Sequence, residues 1–189
     1  MALNYSLVRT VEPSAFVSLD QAKSHLRVDH NQDDQQIAEL VKAAIEKAEE
    51  YTNRSFAQQS WRTGYNFWQA IFEMPRAPLV SVESINYIDT DGQWQVVPDT
   101  VYRVLTDPFP GLVVLAENQS WPDKQDALQT ITIEYTSGNQ VEARATQAVL
   151  LTIGNWYENR ESVITGTISA ELPDNAKFLL NQLKVGLYP

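Results

Sequence analysis

The hydrophobic period of this chain changes twice along its length, which limits the fold more than any single residue does. From Ile37 onward the apolar residues Ile37, Leu40, Val41, Ala44, Ile45, Ala48 and Tyr51 recur at the spacing of one helical face. From Trp61 the spacing becomes two, with Trp61, Thr63, Tyr65 and Phe67 alternating with other residues as in a half-buried strand. After Ser137-Gly138-Asn139 the helical spacing returns through Ala145, Ala148, Leu150, Leu151, Gly154 and Tyr157, over about 141–160. Helices and strands that come in blocks, rather than in strict alternation, indicate an α+β fold. The expected architecture is a helical bundle of about four helices interrupted by a small antiparallel β insert. Its parts are an N-terminal helical part over 1–57, a β-rich insert over 58–137, and a C-terminal helical part over 138–189 that completes the bundle.

Local signals sharpen these blocks. Ser18 is a good N-cap and Gln21 stands where a capping box wants its partner, so a short helix is expected over Leu19 to Leu26. The long helix is expected over Asp33 to Thr52, with Asp33 and Asp34 at its positive end and Asn53 as a left-handed stop. Its outward face carries Glu39, Lys42, Glu46, Lys47 and Glu50. Within the insert, Ile71 to Met74 ends against Pro75, and Val80 to Ile88 reads as a strand. Asp89-Thr90-Asp91-Gly92 is a turn into Gln93 to Val97. Val101 to Leu105, Leu112 to Leu115 and Leu128 to Tyr135 are three further strands. Trp61, Trp68 and Trp94 are expected to pack the sheet, and Trp156 its helix. The polar, β-branched stretch from Glu161 to Ala170 reads as a loop. Pro173 suits the first turn of a last helix whose apolar face is Phe178, Leu179, Leu183 and Leu187.

Composition narrows the chemistry. The chain of 189 residues has no cysteine, which removes disulfides, cysteine-ligated metals and a thiol nucleophile together. Its net charge of -10 repels a phosphate backbone, so a DNA-gripping groove is not expected. No apolar run has the length of a membrane span, and the N-terminus lacks signal-peptide order, so synthesis in the cytoplasm is expected. Asp29, Asn31 and Asp33 fit the first ligand positions of a calcium loop. The loop then fails, because Asp34 replaces its glycine and Leu40 its bidentate glutamate. Helix-capping carboxylates account for the same residues. His25 and His30 have no metal-binding spacing, no serine sits in a nucleophile elbow, and the dispersed glycines form no phosphate loop. No enzyme, catalytic residue, metal or cofactor is expected.

The order of segments carries a resemblance. One stretch runs from Val17-Ser18-Leu19-Asp20-Gln21-Ala22-Lys23 through His25-Leu26-Arg27-Val28-Asp29. A second runs from Asp33-Asp34 through Ile37 to Ala48-Glu49-Glu50-Tyr51-Thr52-Asn53-Arg54. A third is Pro75-Arg76-Ala77-Pro78-Leu79-Val80-Ser81-Val82, followed by Tyr87 to Gly92. The last is Ala148-Val149-Leu150-Leu151 through Trp156-Tyr157-Glu158-Asn159-Arg160-Glu161, then Glu171-Leu172-Pro173. Together they resemble the head–tail connector (adaptor or head-completion) proteins of tailed bacteriophages, in the longer form with a β-rich insert. Two positions depart from the family pattern: Asn53, where glycine is common, and Val141-Glu142, where a proline often begins the helix.

The resemblance implies a structural virion protein at the head–tail junction, assembled in the host cytoplasm, with no cofactor. Many copies would form a ring, twelvefold in the virion, between the portal protein and tail or stopper proteins. DNA would pass through its channel without specific binding. A ring needs head-to-tail interfaces between copies. Trp156, Tyr157, Arg160, Glu161, Lys42 and Glu46 are the candidate interface residues, being aromatic, basic or on outward helix faces. Two alternatives stand beside this reading: a carbohydrate-binding module or glycan-active protein using the aromatic-rich sheet, and a tail-side neck or stopper protein.

Overall fold

The structure is a computed structural model that describes residues 5–11, 15–138, 141–159 and 171–186. The fold is α+β, with four helices and antiparallel sheets among the described residues. The described residues divide into two compact units. One is helical, built from 15–57, 141–159 and 171–184; the other is β-rich, built from 5–11, 58–138 and 185–186.

The helical unit begins with α1 (Leu19–Leu26), and the Ser18 hydroxyl accepts from the Gln21 N–H at 3.1 Å, as an N-cap does. Arg27 ends it in the left-handed conformation at φ 57. The long α2 (Asp34–Thr52) buries Ile37, Leu40, Val41, Ala44, Ile45 and Ala48, and Asn53 stops it at φ 54. α3 (Ala143–Glu158) packs against α2, and α4 (Asp174–Asn181) packs against α3. Their core adds Val149, Ile153, Trp156, Leu172, Ala176, Leu180 and Leu183.

The end of α2 is tied down by charge as well as by apolar contact. The buried Glu49 carboxylate accepts from the Phe56 N–H at 2.8 Å, which closes the turn after the helix. The Arg54 guanidinium lies 5.8 Å from the Phe56 ring and pairs with Glu142 at 2.9 Å, just before α3. The segment from Glu49 to Arg54 is therefore a corner that joins two helices. Burying a charge requires a partner, and each of these has one.

The β-rich unit contains β1 (Tyr5–Val11), β2 (Gln59–Tyr65), β3 (Ile71–Glu73), β4 (Leu79–Ile88), β5 (Trp94–Val96), β6 (Tyr102–Leu105), β7 (Leu112–Leu115) and β8 (Ile131–Ser137). A five-stranded antiparallel sheet runs β1-β2-β8-β4-β5, and a three-stranded sheet runs β3-β7-β6. Register aligns Thr63, Ile133 and Ile85, and likewise Tyr65, Ile131 and Tyr87, so one face of the larger sheet is apolar. Phe72, Met74 and Val113 from the smaller sheet complete that core. Aromatic rings fill it: Tyr65 meets Phe72 edge-on at 4.8 Å, and Trp68 stacks on Trp121 at 4.7 Å and 4°. Gly111, at the start of β7, permits a close approach. A Cβ there would lie 2.3 Å from Leu79 Cβ.

Several expectations need correction. β1 lies in 1–57, where only helices were expected; its first pairing partner is some fifty residues away, and its own sequence carries no turn signal. Phe67 falls beyond β2 and is exposed, and Trp94 does not pack the sheet core but is 57% exposed. α4 buries Ala176 and Leu180, the expected Leu179 packs half-buried against the same core and Leu183 joins it just after the helix, whereas Phe178 is exposed. Pro173 precedes the first turn rather than lying in it. The expected loop over 161–170 and Leu187 lie outside the described residues.

Candidate interaction surfaces

Two of the calcium-loop residues, Asn31 and Asp33, are engaged within the helical unit. The Tyr157 hydroxyl donates to Asp33 Oδ2, which ties α3 to the start of α2. Asp33 occupies the N-cap position without making a side-chain cap bond, so its carboxylate serves this tie rather than the expected capping. Lys23 Nζ donates to Asn31 Oδ1 at 2.8 Å and to Asp34 Oδ1 at 2.6 Å. Among the described residues no group of three or more His, Cys, Asp or Glu side chains is placed to hold a metal ion. His25 and His30 are both exposed. No described helix is long and apolar enough to cross a membrane.

The six candidate interface residues have different fates. Trp156 is 2% exposed and belongs to the helical core, and its indole N–H donates to the Glu171 carbonyl at 3.3 Å. Tyr157 is half-buried and bonded to Asp33. Lys42 and Glu46 are exposed one turn apart on α2. Arg160 and Glu161 lie outside the described residues. Within the subunit, therefore, Trp156 and Tyr157 hold α3 in place, and Lys42 and Glu46 are the described members that face solvent.

The aromatic residues of the β-rich unit are mostly turned to one another. The Trp68 indole N–H donates to the Pro122 carbonyl and that of Trp121 to the Gln69 carbonyl, both at 2.9 Å. The Trp61 ring has the guanidinium groups of Arg9 and Arg76 at 5.0 and 5.1 Å from its centre. A glycan platform needs aromatic faces and polar groups directed outward; here the stacked pair is closed by its own backbone bonds.

What the sequence did not signal is the outer side of β5. Trp94 and Val96 are 57% and 64% exposed, on the face opposite the buried Val97. The preceding turn is built on Asp89, whose carboxylate accepts from the N–H groups of Asp91 and Gln93 and from the Gln95 amide. The bond from Gln93, then that from Gln95, hold the Asp89 carboxyl below its ordinary value. The Tyr102 phenol is pushed upward by burial and then by the charge of Asp99. Alternation of Trp94, Gln95, Val96 and Val97 predicted a strand, but an edge strand and an inner one share that pattern.

Four likenesses to known proteins follow this geometry. Residues 16–87 match the family described as phage gp6-like head–tail connector proteins. No curated protein matches the sequence significantly. Among solved structures, a chain from the neck of an empty gene transfer agent particle, computed with sixfold symmetry, is 18% identical with a TM-score of 0.78, each chain covered over 97%. A chain from the virion of the native gene transfer agent particle is 19% identical with a TM-score of 0.74, again with 97% of each chain covered. A chain from the native neck computed with twelvefold symmetry is 16% identical with a TM-score of 0.67, covering 95% of this chain and 97% of that one. At such identities the structural likenesses establish the fold alone, and the sequence match covers α1, α2 and the first strands of the insert, less than half of the chain. Over that stretch the chain is similar to the phage head–tail connector family.

Proposed function

We propose that this chain is a structural, non-catalytic neck protein that forms a ring of copies between the portal and the tail of a phage-like particle. The ring is twelvefold in the particle, continues the DNA channel and completes the head, after assembly in the host cytoplasm. What carries this reading is the coincidence of a connector-family match over 16–87 with a neck-particle fold over nearly the whole chain. The net charge of -10 agrees with it, because a surface that repels phosphate lets DNA move past without specific binding. Lys42 and Glu46, with Arg160 and Glu161, are the proposed polar contacts between copies or to the portal. Trp156 and Tyr157 support those contacts from behind by fixing α3.

The test is assembly on a template. Purified chain mixed with portal-bearing particles is expected to co-sediment and to appear in cryo-electron microscopy as a ring beneath the portal. Failure to associate with those particles would sink the reading, whereas a monomer in dilute solution would not, because a ring can depend on its template. Filter binding should detect no tight, salt-sensitive DNA affinity, and finding one would remove the passive-channel role.

A further inference from the structure

We infer that the outer edge of β5 is a docking strand for an extended segment of a different protein, one with alternating apolar side chains flanked by lysine or arginine. β5 ends the five-stranded sheet, and among the described residues no strand pairs with its outer side. An edge strand presents unpaired backbone donors and acceptors, and an added strand satisfies them while side-chain contacts select its sequence. Trp94 and Val96, two residues apart on one face, supply those contacts and are well exposed. β5 is short, which itself limits pairing, but within Trp94–Val96 there is no lysine, no proline and no bulge in its pairing with β4.

Charge selects among occupants. Between Arg76 and Arg103 the chain has no lysine, arginine or histidine, but has Glu83, Asp89, Asp91 and Asp99. Asp89 and Asp91 precede β5 and Asp99 follows it, so the strand is bracketed by acid, and the bonds to Gln93 and Gln95 favour the charged form of the Asp89 carboxyl. Nucleic acid is repelled from such an edge. Two copies pairing antiparallel through β5 would set Asp89 and Asp91 of one against Asp99 of the other. The opposite edge of the same sheet, β1, has a register break between Arg9 and Val11 that interrupts regular pairing with a second β5. A foreign strand with basic flanks meets none of these obstacles.

The inference concerns one subunit and does not depend on the ring. Its test is amide hydrogen exchange by NMR on the full chain, titrated with a synthetic peptide of alternating valine and threonine between lysine pairs. The control peptide has the same centre between glutamate pairs. The lysine-flanked peptide is expected to slow exchange of amides in 93–97 by about tenfold or more. The effect should fade with added salt and in a Trp94→Ser, Val96→Ser variant, whose substitutions fall on exposed positions and leave the remaining spectrum unchanged. Several results would overturn the inference: no protection at 93–97, equal protection by the glutamate-flanked peptide, or protection that rises with protein concentration alone and so identifies a second copy. The double variant should still form rings on portal-bearing particles. Loss of the ring by wild-type chain speaks against the ring reading alone.

Discussion

The two units are stabilised in different ways, and the difference separates local from distant determinants. In the helical unit each helix takes its buried face from residues a few turns apart on that same helix, and its caps at Ser18, Arg27 and Asn53 are set by neighbouring residues, although the faces then pack against distant helices. In the β-rich unit the core is made by rings and close approaches between segments far apart in sequence, such as Trp68 with Trp121 and Gly111 with Leu79. A change at a cap of the first unit should therefore shorten or loosen one helix. A change in the second should disrupt several strands together.

The largest effect is expected from Phe72→Ala. This ring is fully buried and touches Tyr65, Trp68 and Trp121, so its loss should cost about 3–5 kcal/mol, measured by urea unfolding followed by tryptophan fluorescence. Leu40→Ala, in the helical core, should cost about 2–5 kcal/mol, read from far-ultraviolet circular dichroism. If it disturbs the strand amides as much as the helical ones by hydrogen exchange, the contrast between local and distributed cores is wrong. Gly111→Ala sharpens the contrast, since one methyl group would collide with Leu79. It should destabilise by about 1–3 kcal/mol by overpacking, with the largest chemical-shift changes at 79 and 111–113.

Smaller effects belong to the caps and turns. Ser18→Ala should cost about 1 kcal/mol and fray only α1, detectable as faster exchange of the amides at 20–22. The Asp89 turn gives the smallest change. A carboxyl whose pKa is lowered on folding contributes stability above its unfolded pKa and loses it as pH falls through the folded one. Carboxyl carbon NMR should thus show Asp89 titrating below the ordinary aspartate value. The protection of the Gln93 amide should disappear over that same acid range, and Asp89→Asn should remove the pH dependence.

Much of the helical unit was legible in advance. The limits of α1 and the buried face of α2 follow from apolar spacing and capping residues, both of which act over three or four positions. The corner from Glu49 to Arg54 was legible only as part of a resemblance. Its physical role needed Phe56 and Glu142, the latter far along the chain. Phe178 and Phe67 misled for a related reason: periodicity marks an apolar residue without telling whether a partner lies opposite. For the candidate surface, Lys42 and Glu46 were readable as outward residues of a helix, whereas the exposed edge at Trp94 and Val96 was not.

By itself, then, the sequence determined the α+β class, the helices and most of the strands, because backbone preference and side-chain period are properties of neighbouring residues. Only the tertiary structure decided the strand order, the recruitment of β1, the division of the strands into two sheets and the exposure of β5. Those outcomes depend on which distant segments find each other, and strands carry no local record of which partner, or how many, they will have.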